Sequence, residues 1–439
     1  MIYSAVRRKI LLVAVLLLAC PVFAAGSDSP NLFGVVSDAV KPVASDGVVV
    51  VRSRPVQVDL TLLQSVKSSM REGRAVSKPF FLNLFDDVVL ETTIRKTGKT
   101  FFGGDAYVGT IQGEPYSQVI LIAKRGIVSG NISVPGHFYQ LRYGSGGLHR
   151  VQEIDQTQFP SELPPVPVTV QTESDRFSED TATDSADLID VMVVYTADAR
   201  DGAGGTTVME TLIDLMVAES NIGYENSGVL QRLRLVRTTE VVYSEVSFDW
   251  AMTIERLRGT ADGYMDDVHA MRDICGADEV VLIVNNTASC GIAYVMQTVS
   301  TAFASAAFAV VSRTCATGYY SFAHEMGHNM GCTHDRYTVE TYNDALGAYN
   351  YSYGYQAPDG AFRTIMAYTC PNGGCSRVNY WSNPDISYGG QPMGVYYTDP
   401  EAADNRRSLN NTASTVANFR QAVVPPVKAL PWLMLLLGE

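Results

Sequence analysis

The sequence predicts two folded units, a mainly β domain over residues 28–172 and an α/β domain over residues 188–422. Three observations lead to this division. Short β-rich runs separated by glycine-rich turns fill residues 80–151, whereas strand and helix patterns alternate from residue 188 onward. Residues 160–187 are first rich in proline and then acidic, with almost nothing apolar to bury. We therefore expect an exposed linker between the two units.

The elements of each unit follow from local patterns. In the first unit the clearest strand candidates are Phe80–Phe85, Gln118–Ile122 and His137–Leu141, each lying between turn signals. The second unit opens with a buried strand, Ile189–Tyr195, and a helical stretch, Thr206–Tyr224. Further strands are expected near Leu233–Tyr243 and Glu279–Val284, and further helices near Trp250–Arg258, Tyr264–Ile274 and Asn405–Ala422.

Composition excludes several classes of protein. Hydrophobic residues make up 46% of the 439 residues, which excludes a wholly disordered or collagen-like chain. The net charge is −13, and the longest basic cluster is Arg7–Lys9. An acidic chain without a concentrated basic patch repels nucleic acid and anionic membranes. We expect no nucleic-acid partner, and we expect a monomer.

The first 24 residues have the pattern of a signal peptide. The basic residues Arg7–Lys9 precede an apolar run, Ile10–Ala19, and Val22–Ala24 supplies small residues for cleavage. The apolar run is too short to span a bilayer, which takes about 20 residues. We expect a secreted or periplasmic protein, with lipid anchoring at Cys20 as the alternative.

Cysteine usage is consistent with export. Removal of the signal peptide leaves six cysteines, and an even number in an exported protein predicts three disulfides with 15 possible pairings. Only Cys370 and Cys375 are close enough in sequence to be paired by inspection. The six are Cys275, Cys290, Cys315, Cys332, Cys370 and Cys375.

The residues with the clearest chemistry lie in one short segment. Tyr319–Ala323 leads into His324 without a helix breaker, so a helix is expected here. Residues four apart share one face of a helix, so His324 and His328 can bind the same metal ion. Glu325, which is not a ligand in this pattern, would stand beside that ion.

A third histidine completes the predicted metal site. Gly331 permits the chain to turn out of the helix, and His334 then supplies another nitrogen. Three neutral imidazoles with an open fourth position are typical of catalytic zinc, and we expect one zinc ion; a calcium ion is possible, but nothing in the sequence supports it. The remaining histidines, which lack such spacing and are expected in the core or on the surface, are His137, His149 and His269.

The motif by itself leaves three classes of function open. A catalytically dead module could retain the helix and the zinc, although it would have no use for Glu325. A zinc hydrolase acting on bonds other than peptide bonds would fit equally well. A peptidase is the third class, and digestion of casein with and without a chelator separates them.

Beyond the bare motif, the chain resembles a known family. His324–Asp335 resembles the zinc motif of metzincin peptidases, with the acidic Asp335 similar to the reprolysin branch, and Thr364–Tyr368 resembles their Met-turn. The resemblance covers residues 188–422 and is most specific to bacterial peptidyl-Asp metallopeptidases of the endoproteinase Asp-N type. The segments that carry it are Ile189–Tyr195, Asn226–Val229, Leu233–Val236, Asp262–His269, Cys290–Tyr294 and Tyr380–Pro384.

This resemblance implies a metzincin fold, with a mixed sheet, an active-site helix and a Met-turn. It also implies an endopeptidase that cuts peptide substrates on the amino side of aspartate. Glu325 would act as the general base on a zinc-activated water. Tyr368 matches a tyrosine that steadies the oxyanion in some metzincins, although a packing role is the alternative. Met366 would be structural beneath the zinc.

Aspartate specificity requires a cation in the substrate pocket, because an unpaired buried carboxylate is costly. No lysine occurs between Arg125 and Val427, so the cation has to be an arginine. In metzincins the loop after the Met-turn forms a wall of that pocket. Arg377 lies on this loop and Arg363 lies just before it, and we favour Arg377.

The regions outside the catalytic unit are less informative. Residues 28–172 resemble a propeptide, with a permanent accessory domain as the alternative, and no cysteine in residues 21–274 could mask the zinc. Residues 423–439 form a C-terminal tail with a short apolar patch. The acidic linker, residues 173–187, offers aspartates at which the enzyme could process itself: Asp175, Asp180, Asp184 and Asp187.

Overall fold

The computed structural model describes residues 29–36, 50–144, 146–169, 188–371 and 373–423. Three predicted regions therefore lie outside the described residues: the signal peptide over residues 1–24, the acidic linker over residues 173–187, and the tail from residue 424 onward. Within the described ranges, no helix has the length and apolar character that crossing a bilayer requires.

The N-terminal unit is an antiparallel sheet. Nine strands of the described residues are hydrogen-bonded in the order β1-β2-β9-β8-β7-β6-β5-β4-β3. The sheet curls, so that Leu32 before β1 donates a backbone hydrogen bond to Phe81 on β3 at the opposite edge. The strands are β1 (Phe33–Val35), β2 (Val50–Val58), β3 (Phe80–Phe85), β4 (Val88–Lys99), β5 (Asp105–Ile111), β6 (Gln118–Lys124), β7 (Ile127–Val134), β8 (His137–Tyr143) and β9 (His149–Ile154).

One helix, α1 (Leu60–Arg71), belongs to this unit and was not predicted. It begins where the Asp59 carboxylate accepts hydrogen bonds from the backbone N–H groups of Thr61 and Leu62. Its Leu63 and Val66 side chains are buried in the same core as the strands. The sequence signal was present, because an N-cap acid precedes an amphipathic stretch.

Strand β6 joins the two units because both of its faces are buried. Val119 and Leu121 pack into the core of the N-terminal sheet, whereas Ile120 and Ile122 pack into the core of the α/β domain. Alternate residues of a strand point to opposite faces, so an uninterrupted apolar run fits a strand that is covered on both sides. The N-terminal sheet therefore lies directly against the second unit.

The α/β domain is built on a mixed sheet, as predicted. Its strand order among the described residues is β10-β14-β15-β13-β11-β12, and β14 runs antiparallel to β15 whereas the other neighbouring pairs are parallel. The strands are β10 (Val166–Pro167), β11 (Leu188–Thr196), β12 (Arg232–Val241), β13 (Glu279–Val284), β14 (Gly291–Val295) and β15 (Phe308–Ser312).

Helices and short strands complete this domain. The helices are α2 (Ala197–Ala203), α3 (Thr206–Asn226), α4 (Trp250–Arg258), α5 (Asp267–Cys275), α6 (Ser321–Asn329), α7 (Arg336–Tyr342) and α8 (Asn405–Val416). The short strands are β16 (Thr333–Asp335), β17 (Tyr353–Gly354), β18 (Phe362–Arg363), β19 (Ser376–Arg377), β20 (Asn383–Tyr388) and β21 (Gln391–Met393), with 3₁₀ turns at Gln156–Gln158 and Thr301–Ala306.

The predicted boundaries hold for some elements and shift for others. Trp250–Arg258 and Glu279–Val284 have the predicted bounds. Helix α5 begins three residues later than expected, because the Asp262 and Asp266 carboxylates accept backbone hydrogen bonds and form a turn there. Helix α8 ends at Val416 rather than near Ala422.

The prediction of three disulfides was wrong. All six cysteines lie in the described ranges, and two bridges form there: Cys290–Cys315 and the locally predicted Cys370–Cys375. Cys332 is a free thiol buried in the core, and Cys275 is a half-buried free thiol at the end of α5. An even count of cysteines could not reveal that Cys332 is a packing residue.

A carboxyl group is buried where helix α3 faces the N-terminal unit. Asp214 is 4% exposed, and burial raises its pKa to about 7, although the charge of Lys124 opposes this shift. Between about pH 4 and pH 7 the folded chain therefore holds a proton that the unfolded chain has lost. Stability contributed by this proton declines as the pH rises through that range.

We expect the thermal midpoint of Asp214→Asn to fall less between pH 5 and pH 8 than that of the parent chain, because the amide does not titrate. The measurement uses the full chain with Glu325→Gln to prevent self-digestion. Asp201→Asn is the control, since the Asp201 side chain is 68% exposed. Parallel pH profiles for Asp214→Asn and the parent would contradict the assignment.

Candidate metal centre and active site

Helix α6 brings the first two predicted ligands together. It begins at Ser321, after Tyr320, whose backbone has a φ of +66°. The lead-in was predicted to be helical from Tyr319, and this left-handed residue accounts for the later start. His324 and His328 then lie one turn apart, and both are fully buried.

The third histidine reaches the same point through a turn. Gly331, with a φ of +88°, directs the chain out of the helix and into β16, which carries His334. A side chain at Gly331 would also meet the Cβ of Ala348 at 2.7 Å. The ligand nitrogens of His324, His328 and His334 all lie within 4.8 Å of one another.

Each imidazole is oriented by an oxygen at Nδ1. His324 Nδ1 lies 2.9 Å from the carbonyl oxygen of Ile365, and His328 Nδ1 lies 2.9 Å from that of Cys332. His334 Nδ1 lies 2.7 Å from Asp344 Oδ2. These contacts leave the Nε2 atoms for a metal ion, as metal-binding histidines usually require.

The charge state of the site also suits a metal ion. Burial lowers the pKa of His324 to about 3 and the pKa of His328 well below its usual value, so both rings are neutral at pH 7. Among the described residues, His328 Nε2 has no hydrogen-bond partner. Buried polar atoms rarely lack a partner, and a metal ion would satisfy this one. The site therefore fits a metal held by three histidines.

Glu325 follows His324 on helix α6, and a glycine leaves space for its carboxylate. Within the described part of the chain, neither oxygen of its buried carboxylate has a hydrogen-bond partner. Burial raises its pKa well above the usual value. A Cβ on Gly291, the first residue of β14, would lie 2.4 Å from Glu325 Oε1. The absent side chain at Gly291 thus makes room for the carboxylate.

The loop after β18 lies under helix α6. A Cβ on Gly327 would lie 2.8 Å from the sulfur of Met366, so the fully buried methionine packs against the helix between the two histidines. The Tyr368 ring lies 4.0 Å from the His334 ring, measured between centroids. Its backbone N–H donates a 2.9 Å hydrogen bond to Asp335 Oδ2, which holds the loop to the residue after His334.

Arg377 holds a carboxylate in a buried pocket next to the histidines. Its two terminal nitrogens donate hydrogen bonds to the two carboxylate oxygens of Glu162, and the NH2–Oε2 distance is 3.0 Å. Ser321 Oγ, one helical turn before His324, donates a 2.7 Å hydrogen bond to Glu162 Oε1. Arg377 is 2% exposed and Glu162 is 3% exposed.

The electrostatics of this pocket favour an ionised acid. Burial alone would raise the pKa of Glu162, but the Arg377 charge and the hydrogen bonds from Arg377 and Ser321 hold it well below its usual range. The same pairing raises the pKa of Arg377 despite its burial. The pocket is therefore organised to bind a carboxylate.

Arg363 is the neighbour of Arg377 in this pocket, and both arginines donate to the same backbone carbonyl oxygen. Arg363 NH1 donates a 2.6 Å hydrogen bond to the carbonyl oxygen of Ala367, which also accepts from Arg377 NH2 at 3.2 Å. Its other hydrogen bonds go to the Cys375 carbonyl oxygen and to the Tyr319 hydroxyl. In the described ranges no carboxylate forms an ion pair with Arg363, so it supports the pocket wall.

Sequence reasoning missed the partner of Arg377. Residues 160–187 were expected to be an exposed linker, but the described part, residues 160–169, is hydrogen-bonded to β14, includes β10 and buries the Glu162 side chain. The lone acid Glu162 between prolines was the only available signal. Ser321 and Asp344 were also missed, since neither has a distinctive spacing. His149 is buried, whereas His137 is exposed.

The fold and the three-histidine site define a metallopeptidase. A family model described as "Metallo-peptidase family M12" matches residues 185–382. A peptidyl-Asp metalloendopeptidase of Stenotrophomonas maltophilia strain R551-3 is 41% identical over 70% of this chain and 72% of its own length. A protein of the same name from Xanthomonas campestris is 39% identical, over 70% of this chain and 71% of its own length.

The chain therefore belongs to the peptidyl-Asp metalloendopeptidase family. A further member, from Pseudomonas fragi, is 36% identical over 46% of this chain and its own full length. The family assignment makes the chain a metalloendopeptidase. It excludes the two other classes that the motif had left open, a non-catalytic module and a hydrolase of other bonds.

We expect Gly291→Ala to lower kcat by at least about tenfold with little loss of bound metal, because the new methyl group displaces the Glu325 carboxylate and not the histidines. Metal content and peptide turnover are measured on the same sample. Val242→Ala is the control within the catalytic unit, since the Val242 side chain is fully exposed after β12. Unchanged turnover in Gly291→Ala would contradict this placement of Glu325.

Proposed function

We propose that this chain is an exported zinc endopeptidase that cuts peptides on the amino side of aspartate. The observation that carries the proposal is the buried Arg377 pocket, which grips a carboxylate beside the three histidines. The names of the relatives support the aspartate preference. The two disulfides support an oxidising location, either secreted or periplasmic.

Zinc is the metal that the ligand set favours. Three neutral imidazoles suit zinc, which when bound supplies a Lewis acid that polarises a carbonyl group and acidifies a water molecule. Glu325 is the general base in this proposal, taking a proton from the attacking water and passing it to the departing amine. Among the residues that the structure describes, no side chain forms a hydrogen bond with its carboxylate, which is therefore free to accept that proton.

Tyr368 and Met366 have supporting roles in the proposal. The Tyr368 hydroxyl donates a 2.6 Å hydrogen bond to the carbonyl oxygen of Glu162, so it is able to reach a peptide carbonyl at this position. A substrate carbonyl that develops negative charge would be stabilised by the same donor. Met366, packed under helix α6, serves as the Met-turn methionine and keeps the floor of the site apolar.

The two arginines have different roles. Arg377 binds the aspartate side chain of the substrate through its planar fork of donors. Arg363 is a positioning residue, since it shares the Ala367 carbonyl oxygen with Arg377 and faces backbone oxygens. The N-terminal unit is a propeptide in this proposal, supported by the segment that it places in the cleft.

The role of the metal and the base is tested by Glu325→Gln. We expect this variant to retain zinc, because no ligand is changed, and to lose about 100-fold or more in turnover. Zinc is measured by atomic emission and turnover with a peptide containing one aspartate. A chelator should abolish wild-type turnover and added zinc should restore it. Near-wild-type turnover by Glu325→Gln would overturn the assignment.

The role of Arg377 is tested by a change in selectivity. We expect Arg377→Ala to lower kcat/KM for an aspartate peptide at least about 30-fold more than for the matching asparagine peptide, since only the former loses a charge-assisted pair. Arg420→Ala is the control and should leave the ratio of the two kcat/KM values within about threefold of wild type, because the Arg420 side chain pairs with the exposed Asp273 and not with Glu162. An unchanged ratio in Arg377→Ala would show that the aspartate binds elsewhere.

A further inference from the structure

A short segment after the N-terminal sheet lies across the proposed active site. We call residues 160–169 the cleft segment. Its backbone pairs with the edge of the catalytic sheet: Cys290 N–H donates to the Ser161 carbonyl oxygen at 3.2 Å, and Leu163 N–H donates to that of Gly291 at 2.8 Å. Strand β10 continues the pairing with β14. An added edge strand is a common way to seat a peptide.

The cleft segment also contributes a side chain that fills the carboxylate pocket. Glu162 lies between the two backbone contacts, and its carboxylate accepts hydrogen bonds from Arg377 and Ser321. The Glu162 carbonyl oxygen accepts the Tyr368 hydroxyl hydrogen bond. One residue thus engages both the specificity pocket and the tyrosine beside the histidines.

We infer that Glu162 is a built-in stand-in for the substrate aspartate, and that Arg377 and Ser321 together form the pocket for which the two carboxylates compete. This inference rests on the proposed function, since it takes the Arg377 pocket to be the aspartate site. Ser321 is then a further specificity residue, because its hydroxyl binds the same carboxylate as Arg377. The intact chain is latent while Glu162 is seated.

The path of the backbone explains why the cleft segment inhibits and is not cut. An enzyme that cuts on the amino side of aspartate attacks the carbonyl group of the preceding residue. Here that carbonyl belongs to Ser161, and its oxygen is held by Cys290 N–H and by Ser289 Oγ at 2.6 Å. The carbonyl at Tyr368 is that of Glu162 itself. The carbonyl oxygen of the bond that would be cleaved therefore accepts hydrogen bonds from Ser289 and Cys290, whereas the Tyr368 hydroxyl donates to the next carbonyl oxygen along the chain.

The occupancy also accounts for an acid in an otherwise proline-rich stretch. If this segment were exposed to water, the position of Glu162 between Pro160 and Pro164 would give the glutamate no stabilising contact. Buried at 3% exposure, it would be costly without its partners. Hydrogen bonds from Arg377 and Ser321 satisfy the Glu162 carboxylate. In return, the Glu162 carboxylate balances the positive charge of Arg377 when no substrate is bound. A carboxylate from the chain thus keeps the pocket assembled until a substrate replaces it.

The test measures peptide binding to the full chain carrying Glu325→Gln, which prevents cleavage of the probe and of the linker. Two fluorescein-labelled peptides are titrated, identical except for a central aspartate or asparagine, and affinity is read from anisotropy. We expect Glu162→Gln to tighten binding of the aspartate peptide by at least about tenfold, with less than a threefold gain for the asparagine peptide. Glu153→Gln removes a similar charge from β9 and should have no effect.

A second variant guards against misfolding caused by the unpaired arginine. Leu163→Pro removes the N–H that donates to Gly291 while leaving both Glu162 and Arg377 intact. It should unseat the cleft segment and produce the same selective gain. Adding Ser321→Ala to Leu163→Pro should then weaken the aspartate peptide by at least about threefold and leave the asparagine peptide unchanged. Circular dichroism and zinc content establish that each variant is folded.

The outcomes separate this inference from the proposed function. No gain for the aspartate peptide in folded Glu162→Gln and Leu163→Pro would overturn the inference. Equal gains for the two peptides would also overturn it, because the segment would then act as a steric cover alone. Whether Arg377 forms the aspartate pocket is read separately, from the kinetics of Arg377→Ala. A lost preference there with no gain here would remove only the role of Glu162, whereas an unchanged preference there would overturn the proposed pocket.

Discussion

The rest of the site depends on one buried pairing between a guanidinium group and a carboxylate. Arg377 is almost without exposure to solvent, and a buried cation of this kind requires an anionic partner. In the intact chain the partner is Glu162, and in the proposed reaction it is the aspartate of a substrate. Specificity and latency then have a common physical cause, because the same buried positive charge of Arg377 binds either carboxylate.

Two successive turns of helix α6 contact both this pairing and the metal centre. Ser321 at the start of α6 contacts the carboxylate, and His324 and His328 follow on the buried face. The antiparallel edge strand β14 closes the other side, where Gly291 leaves space for Glu325. Because α6 packs against β14 and β15, the positions of base, ligands and pocket are fixed by the core of the domain.

The sequence predicted those parts of the site that depend on local spacing. The histidines are four and six residues apart around a glycine turn, and the strand Glu279–Val284 is a continuous apolar run, so both could be recognised without tertiary information. The role of Glu162 could not be recognised in this way, because it depends on a contact with Arg377, which is 215 residues away in the sequence. The prediction of a third disulfide was wrong for a related reason. A count of cysteines does not distinguish the buried free thiol of Cys332 from a cysteine that forms a disulfide.

The central claim is that the Arg377 pocket selects aspartate. A mass-spectrometric map of the peptides released when the processed enzyme digests a denatured proteome tests it most directly, because every new amino terminus reports the residue that occupied the pocket. The account predicts that most new amino termini begin with aspartate, that glutamate comes second, and that asparagine is not enriched. New termini dominated by apolar or basic residues, or with no enrichment of acids, would contradict it.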